Sequence, residues 1–193
     1  MIPGRFSRSP AKRASDSLGP PVGEIIVSEE RIRKRVAELG KEISRDYKGT
    51  TPILVNILKG GIIFLSDLIR ELEVLHEIDF MSVSSYESQT ESTGVVRILA
   101  DLSINIEGRD VLIVEDIVDS GLTLDYIKHI LEARHPRSLR VCTLLDKRAR
   151  REVDVSLDYV GFEIPDEFVI GYGLDYIQKY RNLPYVAVLK LDR

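Results

Sequence analysis

The stretch Val111-Leu112-Ile113-Val114-Glu115-Asp116-Ile117-Val118-Asp119-Ser120-Gly121-Leu122-Thr123 constrains the fold of this chain more than any other. Its first four residues are all apolar, so a strand here has to be covered on both faces. Strands of that kind belong to parallel sheets wrapped by helices. The run ends in two adjacent acids at the carboxyl edge of the strand. A short loop with Asp119, Ser120, Gly121 and Thr123 then opens a helix over Leu122 to Arg134.

The rest of the chain repeats this alternation. Ser28 is placed as an N-cap with Glu29 and Glu30 in the first turn, Ile32, Val36, Leu39 and Ile43 follow at helical spacing, and Gly49 stops the helix. Pro52 to Leu58 reads as a strand ended by Lys59-Gly60-Gly61, and Ile62 to Leu72 as a helix. A strand around Ile78 to Ser84, a polar stretch Ser85 to Gly94 and a short strand near Val95 to Leu99 come next. Ser138 to Leu145 is a further strand. After about residue 150 only short strand-like runs remain, among them Tyr159 to Phe162 and Tyr185 to Leu189. The expectation is an α/β fold: a parallel-sheet core with flanking helices, plus a small C-terminal hood from about 150 to 193. Residues 24–193 form one domain on this reading. Residues 1–23, rich in Pro, Gly, Ser, Arg and Lys, form a disordered or loosely docked tail. Its acid-poor start faintly suggests a transit peptide, but no amphipathic face accompanies the charges.

Composition narrows the function classes. No apolar run approaches the ~20 residues of a membrane span, and the start lacks the apolar core of a secretory signal. A net charge of −4 over 193 residues argues against a molecule-wide nucleic-acid surface. The single cysteine, Cys142, lies in an apolar strand and reads as a buried, inert thiol, so no internal disulfide forms. His76, His129 and His135 are too scattered for a metal site. The expected compartment is the cytoplasm.

The loop after the strand has its own chemistry. Ligands of open α/β sheets bind outside the carboxyl ends of the strands. A loop that opens a helix offers free N–H groups and a positive dipole end to a phosphate. Ser120 and Thr123 add hydroxyls, and Gly121 allows close backbone approach. Glu115 and Asp116 would repel phosphate, so their partners are hydroxyl donors or a metal ion. Together these features suit a sugar phosphate. A plain N-cap with two solvated acids fits the same residues, and physics alone leaves both open.

Val111 to Thr123 closely resembles the 5-phosphoribosyl 1-diphosphate motif of the type I phosphoribosyltransferases, and neither a Walker A pattern nor a Gly-x-Gly-x-x-Gly fingerprint competes with it. Other segments resemble the hypoxanthine-guanine branch, and together they span most of the chain after Glu24. Leu58-Lys59-Gly60-Gly61 is similar to the loop that presents backbone N–H groups to diphosphate through a Lys-flanked, often cis, peptide. Leu144-Leu145-Asp146-Lys147-Arg148 is similar to the segment that holds the purine 6-oxo group, and Phe162 to Tyr176 to the purine-recognition segment. Ser84 to Gly94 falls where the family carries a mobile lid with a Ser-Tyr pair, here Ser85 and Tyr86, although Glu87 and Gln89 make its tip less glycine-rich than expected.

The resemblance implies roles. Glu115, Asp116, Ile117, Val118, Asp119, Ser120, Gly121, Leu122 and Thr123, with Lys59, Gly60 and Arg181, would bind the donor. Lys147, Phe168, Val169, Asp175 and Ile117 would bind the purine. Asp119 would be the general base, and Glu115, Asp116 and Asp175 would serve a magnesium ion. The implied substrates are 5-phosphoribosyl 1-diphosphate and a 6-oxopurine, in a homodimer or homotetramer, with no nucleic acid and no membrane. Two alternatives remain: a xanthine-preferring enzyme, and a non-catalytic regulator that senses the donor and binds nucleic acid through a patch seeded by Lys147, Arg148, Arg150 and Arg151.

Overall fold

A computed structural model describes residues 22–88 and 91–190, the side chains of 85–96 excepted. The tail expected over 1–23 therefore lies almost wholly outside the described residues. In chain order the elements are β1 (Val22–Val27), α1 (Glu29–Asp46), β2 (Ile53–Leu58), α2 (Ile62–Glu71), β3 (Glu77–Ser88), β4 (Glu91–Ala100), β5 (Asp110–Val118), α3 (Leu122–Glu132), β6 (Ser138–Asp146), β7 (Tyr159–Glu163), β8 (Val169–Ile170) and β9 (Val186–Leu189).

Six strands form the main sheet in the order β4-β3-β2-β5-β6-β7. All neighbours pair in parallel except β4, which closes one edge antiparallel to β3. β5 is the pivot. Leu112 and Val114 face one core with Ile32, Val36, Leu39 and Ile43 of α1 and Phe64, Leu65 and Leu68 of α2. Val111 and Ile113 face the other, with Leu124, Ile127 and Leu131 of α3. The uninterrupted apolar run thus has helices on both sides, as its pattern requires. α1 starts where expected: the Ser28 hydroxyl accepts a hydrogen bond from the Arg31 N–H at 3.4 Å. Cys142 is fully buried in β6, and burial pushes its thiol pKa far up. Among the described residues no helix is long and apolar enough to cross a membrane.

Four local expectations need correction. β5 does not end at the two acids but runs on through Val118, because Ile117 and Val118 pair with Leu145 and Asp146 of β6. The backbone of the supposed polar stretch Ser85 to Gly94 is largely strand, with β3 and β4 paired out to Ser88 and Glu91. Tyr159 to Phe162 belongs to the main sheet as β7, in parallel register with β6. The small second sheet, of order β1-β9-β8, takes its outer strand from the N-terminal side at Val22–Val27. Except for the β3–β4 hairpin, whose partners are near in sequence, each correction rests on a partner distant in sequence, which local patterning does not report.

Candidate active site

The carboxyl ends of β2, β5 and β6 and the start of β8 converge on a cavity of about 430 Å³. Lys59 and Gly60 enter it after β2, Asp116, Ile117 and Asp119 from β5 and its loop, and Lys147 after β6. Phe168, Val169, Asp175 and Arg181 form the remaining expected wall. A second cavity of about 540 Å³, near α1, α2 and Tyr172, shares only Arg181 with the expected site.

The two acids of β5 differ in place. Asp116 lines the cavity and its Oδ1 accepts from the Ile117 N–H at 2.9 Å. Burial pushes its pKa up to about 6, moderated by backbone hydrogen bonds and Arg181 and reinforced by Asp175. Glu115 is buried at 8% exposure and does not border the cavity. Burial first, then the neighbouring Asp116 charge, holds its pKa well above the ordinary carboxylate range.

The Leu58–Lys59 peptide is cis. Gly60 is needed by its neighbours: a β-carbon there would overlap Asp116 Oδ2 and stand 2.7 Å from Asp116 Cγ. Gly173, at φ +100°, abuts the Gly60 carbonyl from elsewhere, so the loop is clamped. Nearby, Arg181 pairs with Asp175 at 2.6 Å and donates to the Gly173 carbonyl at 2.7 Å.

Asp119 sits between two cations, 3.4 Å from Lys147 Nζ and 3.6 Å from Arg150 Nε. Lys147 is only 5% exposed, and its backbone N–H donates to the Val118 carbonyl at 2.9 Å. Arg150 also reaches Asp166 at 3.7 Å. Arg150, Asp166 and Leu174 line the cavity without having been expected there. The cluster of cations Lys147, Arg148, Arg150 and Arg151 is the only signal for Arg150, and it reads as a basic patch. Arg150 and Arg151 are each committed to acids, Arg151 to Asp146, so such a patch is largely neutralised. Phe168 is 46% exposed and meets Tyr176 edge to face, with ring centroids 5.8 Å apart. That leaves aromatic surface for a planar ligand.

Ser120, Gly121, Leu122 and Thr123 continue from Asp119 but do not bound the cavity, nor does the buried Val118. Gly121 has φ +88° and caps α3. Its glycine is required by that left-handed backbone and by Val153 O, which would stand 2.9 Å from a β-carbon. The close approach it allows is thus made by the protein's own backbone. The backbones of Ser85 and Tyr86 lie in β3, and their side chains are outside the described residues.

The donor set suits magnesium, a hard cation that takes one or two carboxylates and completes its shell with water and substrate oxygens. Asp116 and Asp175 are two such carboxylates on one cavity, near enough to raise the pKa of Asp116. Among the described residues no group of three or more His, Cys, Asp or Glu could hold a metal by itself.

Comparison with known proteins agrees with this layout. The phosphoribosyl transferase domain family matches residues 23–177. The hypoxanthine-guanine phosphoribosyltransferase of Bacillus subtilis is 50% identical over 169 residues, covering 88% of this chain and 94% of that one. The hypoxanthine phosphoribosyltransferase of Salmonella typhimurium is 55% identical over 172 residues, covering 88% and 97%. A crystal structure of a hypoxanthine phosphoribosyltransferase from Staphylococcus aureus matches with a TM-score of 0.84 at 50% identity, covering 88% of this chain and 92% of that one. The chain belongs to the phosphoribosyltransferase family, in its hypoxanthine(-guanine) branch.

Proposed function

We propose that the chain transfers the 5-phosphoribosyl group of 5-phosphoribosyl 1-diphosphate to N9 of hypoxanthine or guanine in purine salvage. The observation that carries this reading is the buried Lys147 beside Asp119, in one cavity with Asp116 and the Lys59-Gly60 loop. The N9–C1′ bond forms as the bond from C1′ to the diphosphate oxygen breaks, and its electron pair leaves with diphosphate.

Lys147 donates to the 6-oxo oxygen, which favours 6-oxopurines over adenine, whose 6-amino group offers no comparable acceptor. Phe168 stacks on the base, and the backbone of Val169 meets its edge. Asp119 takes the proton at purine N7, a role worth about 10²- to 10⁴-fold; Lys147 and Arg150 fix its orientation. Asp116 accepts hydrogen bonds from the ribose hydroxyls. Lys59, the Gly60 backbone and Arg181 hold the diphosphate, and the loop from Ser120 to Thr123 holds the 5-phosphate on the start of α3. Asp116 and Asp175 would hold magnesium. When bound, that ion offsets the negative charge that builds on the leaving diphosphate.

The test is nucleotide formation from hypoxanthine, guanine, xanthine and adenine, with donor and magnesium supplied. The expected result is turnover of hypoxanthine or guanine and little with adenine. Preferential use of xanthine would move the assignment to that base, and donor binding without any turnover would overturn the enzymatic reading.

A further inference from the structure

Arg151 has no part in the site as assembled so far, yet it occupies an unusual position. One guanidinium nitrogen, Nη2, pairs with Asp146 Oδ1, and both side chains are largely buried, at 15% and 12% exposure. Asp146 is the last residue of β6 and lies in register with Val118, the last residue of β5. The pair therefore stands where the Asp119 to Thr123 loop leaves the sheet.

The segment that follows is tied to the same loop. The Glu152 and Val153 N–H groups both donate to the Ser120 carbonyl, at 2.9 and 3.2 Å. A β-carbon at Gly121 would stand 3.1 Å from Arg151 Cδ and 3.3 Å from Arg151 Nη1. That Nη1 is buried and has no hydrogen-bond partner. A guanidinium kept only for structure would be expected to use its planar fork in full. Here half of the fork is left against the left-handed turn that opens α3, where a positive helix end already favours an anion.

Resting on the reading under Proposed function, we infer that Arg151 is a positioning residue for the 5-phosphate of the phosphoribosyl donor. It acts through Gly121: the ion pair with Asp146 and the 152–153 brace set the turn, so the N–H groups at the start of α3 are fixed for the phosphate. Its unpaired Nη1 leaves buried N–H donors directly under that loop. The effect belongs to the 5-phosphate end and not to the diphosphate end, which Lys59, Gly60 and Arg181 serve.

The experiment compares wild type with Arg151→Met, Arg151→Lys and the double variant Asp146→Asn/Arg151→Gln. Calorimetric titrations with ribose 5-phosphate and with inorganic diphosphate accompany steady-state kinetics, and thermal unfolding monitors folding. Arg151→Met is expected to weaken ribose 5-phosphate and raise the donor KM by about tenfold or more, with diphosphate and hypoxanthine changed by less than about twofold. Arg151→Lys recovers part of the loss. If Arg151→Met does not fold, the double variant removes both buried charges together and is expected to show the same selective loss.

Two results would overturn the inference: ribose 5-phosphate binding in folded Arg151→Met or the double variant within about twofold of wild type, or a loss shared equally by diphosphate. Wild type that binds ribose 5-phosphate but makes no nucleotide would instead count against the proposed reaction, and the titrations would still decide the role of Arg151.

Discussion

Asp116→Asn should make the ligand-free protein more stable at neutral pH while destroying most of its function. The Asp116 carboxyl titrates at about 6 in the folded chain, against an ordinary 3.8, chiefly because of burial. Between those values the folded state holds a proton that the unfolded state has released. Stability therefore falls as pH rises through this window, and above it the folded protein carries a disfavoured charge. At 1.36 kcal/mol per pH unit the difference is at most about 3 kcal/mol, and water in the open cavity reduces it. Asparagine keeps the shape and can keep the 2.9 Å hydrogen bond from the Ile117 N–H, without the charge. Removing that charge also relieves Glu115, whose raised pKa owes its second-largest contribution to Asp116.

The expected gain near pH 7.5 is about 1–3 kcal/mol, or roughly 2–10 °C in Tm for a chain of this size. It should shrink to nothing near pH 4. The assay is thermal or urea unfolding of both proteins in chelator, with substrate absent, across that range. A variant no more stable than wild type near pH 7.5, or a gain that persists undiminished at pH 4, would refute the reasoning. Nucleotide formation by the variant should fall sharply, the usual opposition of stability and function at a site.

Three further outcomes are expected. Asp119→Asn should bind the phosphoribosyl donor normally in calorimetry but lose about 10²- to 10⁴-fold in kcat with hypoxanthine, and unchanged turnover would remove it as the base. Lys147→Met should lower kcat/KM for hypoxanthine by about tenfold or more while narrowing the gap to adenine, read from parallel assays of the two bases. Gly60→Ala drives a methyl into Asp116, so it should cost about 1–3 kcal/mol in urea unfolding and raise the donor KM.

Much of the catalytic layout was written locally. The β5 run, the acids after it and the Gly121 turn are contiguous, so their joint chemistry is visible without a fold. The helix from Glu29 was equally plain, since Ile32, Val36, Leu39 and Ile43 recur at its period and all are buried. What escaped depends on pairings between distant segments. Val118 looks like a loop residue until Asp146 is placed beside it. Arg150 looks like a surface charge until Asp119 and Asp166 flank it. Glu115 and Asp116 look equivalent, and only the alternating sides of a strand that continues past them separate a cavity-facing acid from a buried one. Residues such as Phe168, Asp175 and Arg181 carried no intrinsic mark. Family likeness suggested them, and the structure brings all three to the cavity.

The three-stranded sheet of β1, β9 and β8 also sets an order of assembly. Its middle strand, Val186–Leu189, must be made before Val22–Val27 and Val169–Ile170 can pair through it. Closing so long a stretch of chain is entropically slow. On the ribosome, therefore, the strands and helices that position Asp116 and Asp119 emerge first, and the wall carrying Phe168 and Val169 gains its partner strand only once Val186–Leu189 has been made. A nascent chain would acquire the acids and the loop that meet the sugar phosphate before it acquires the wall that stacks on the base.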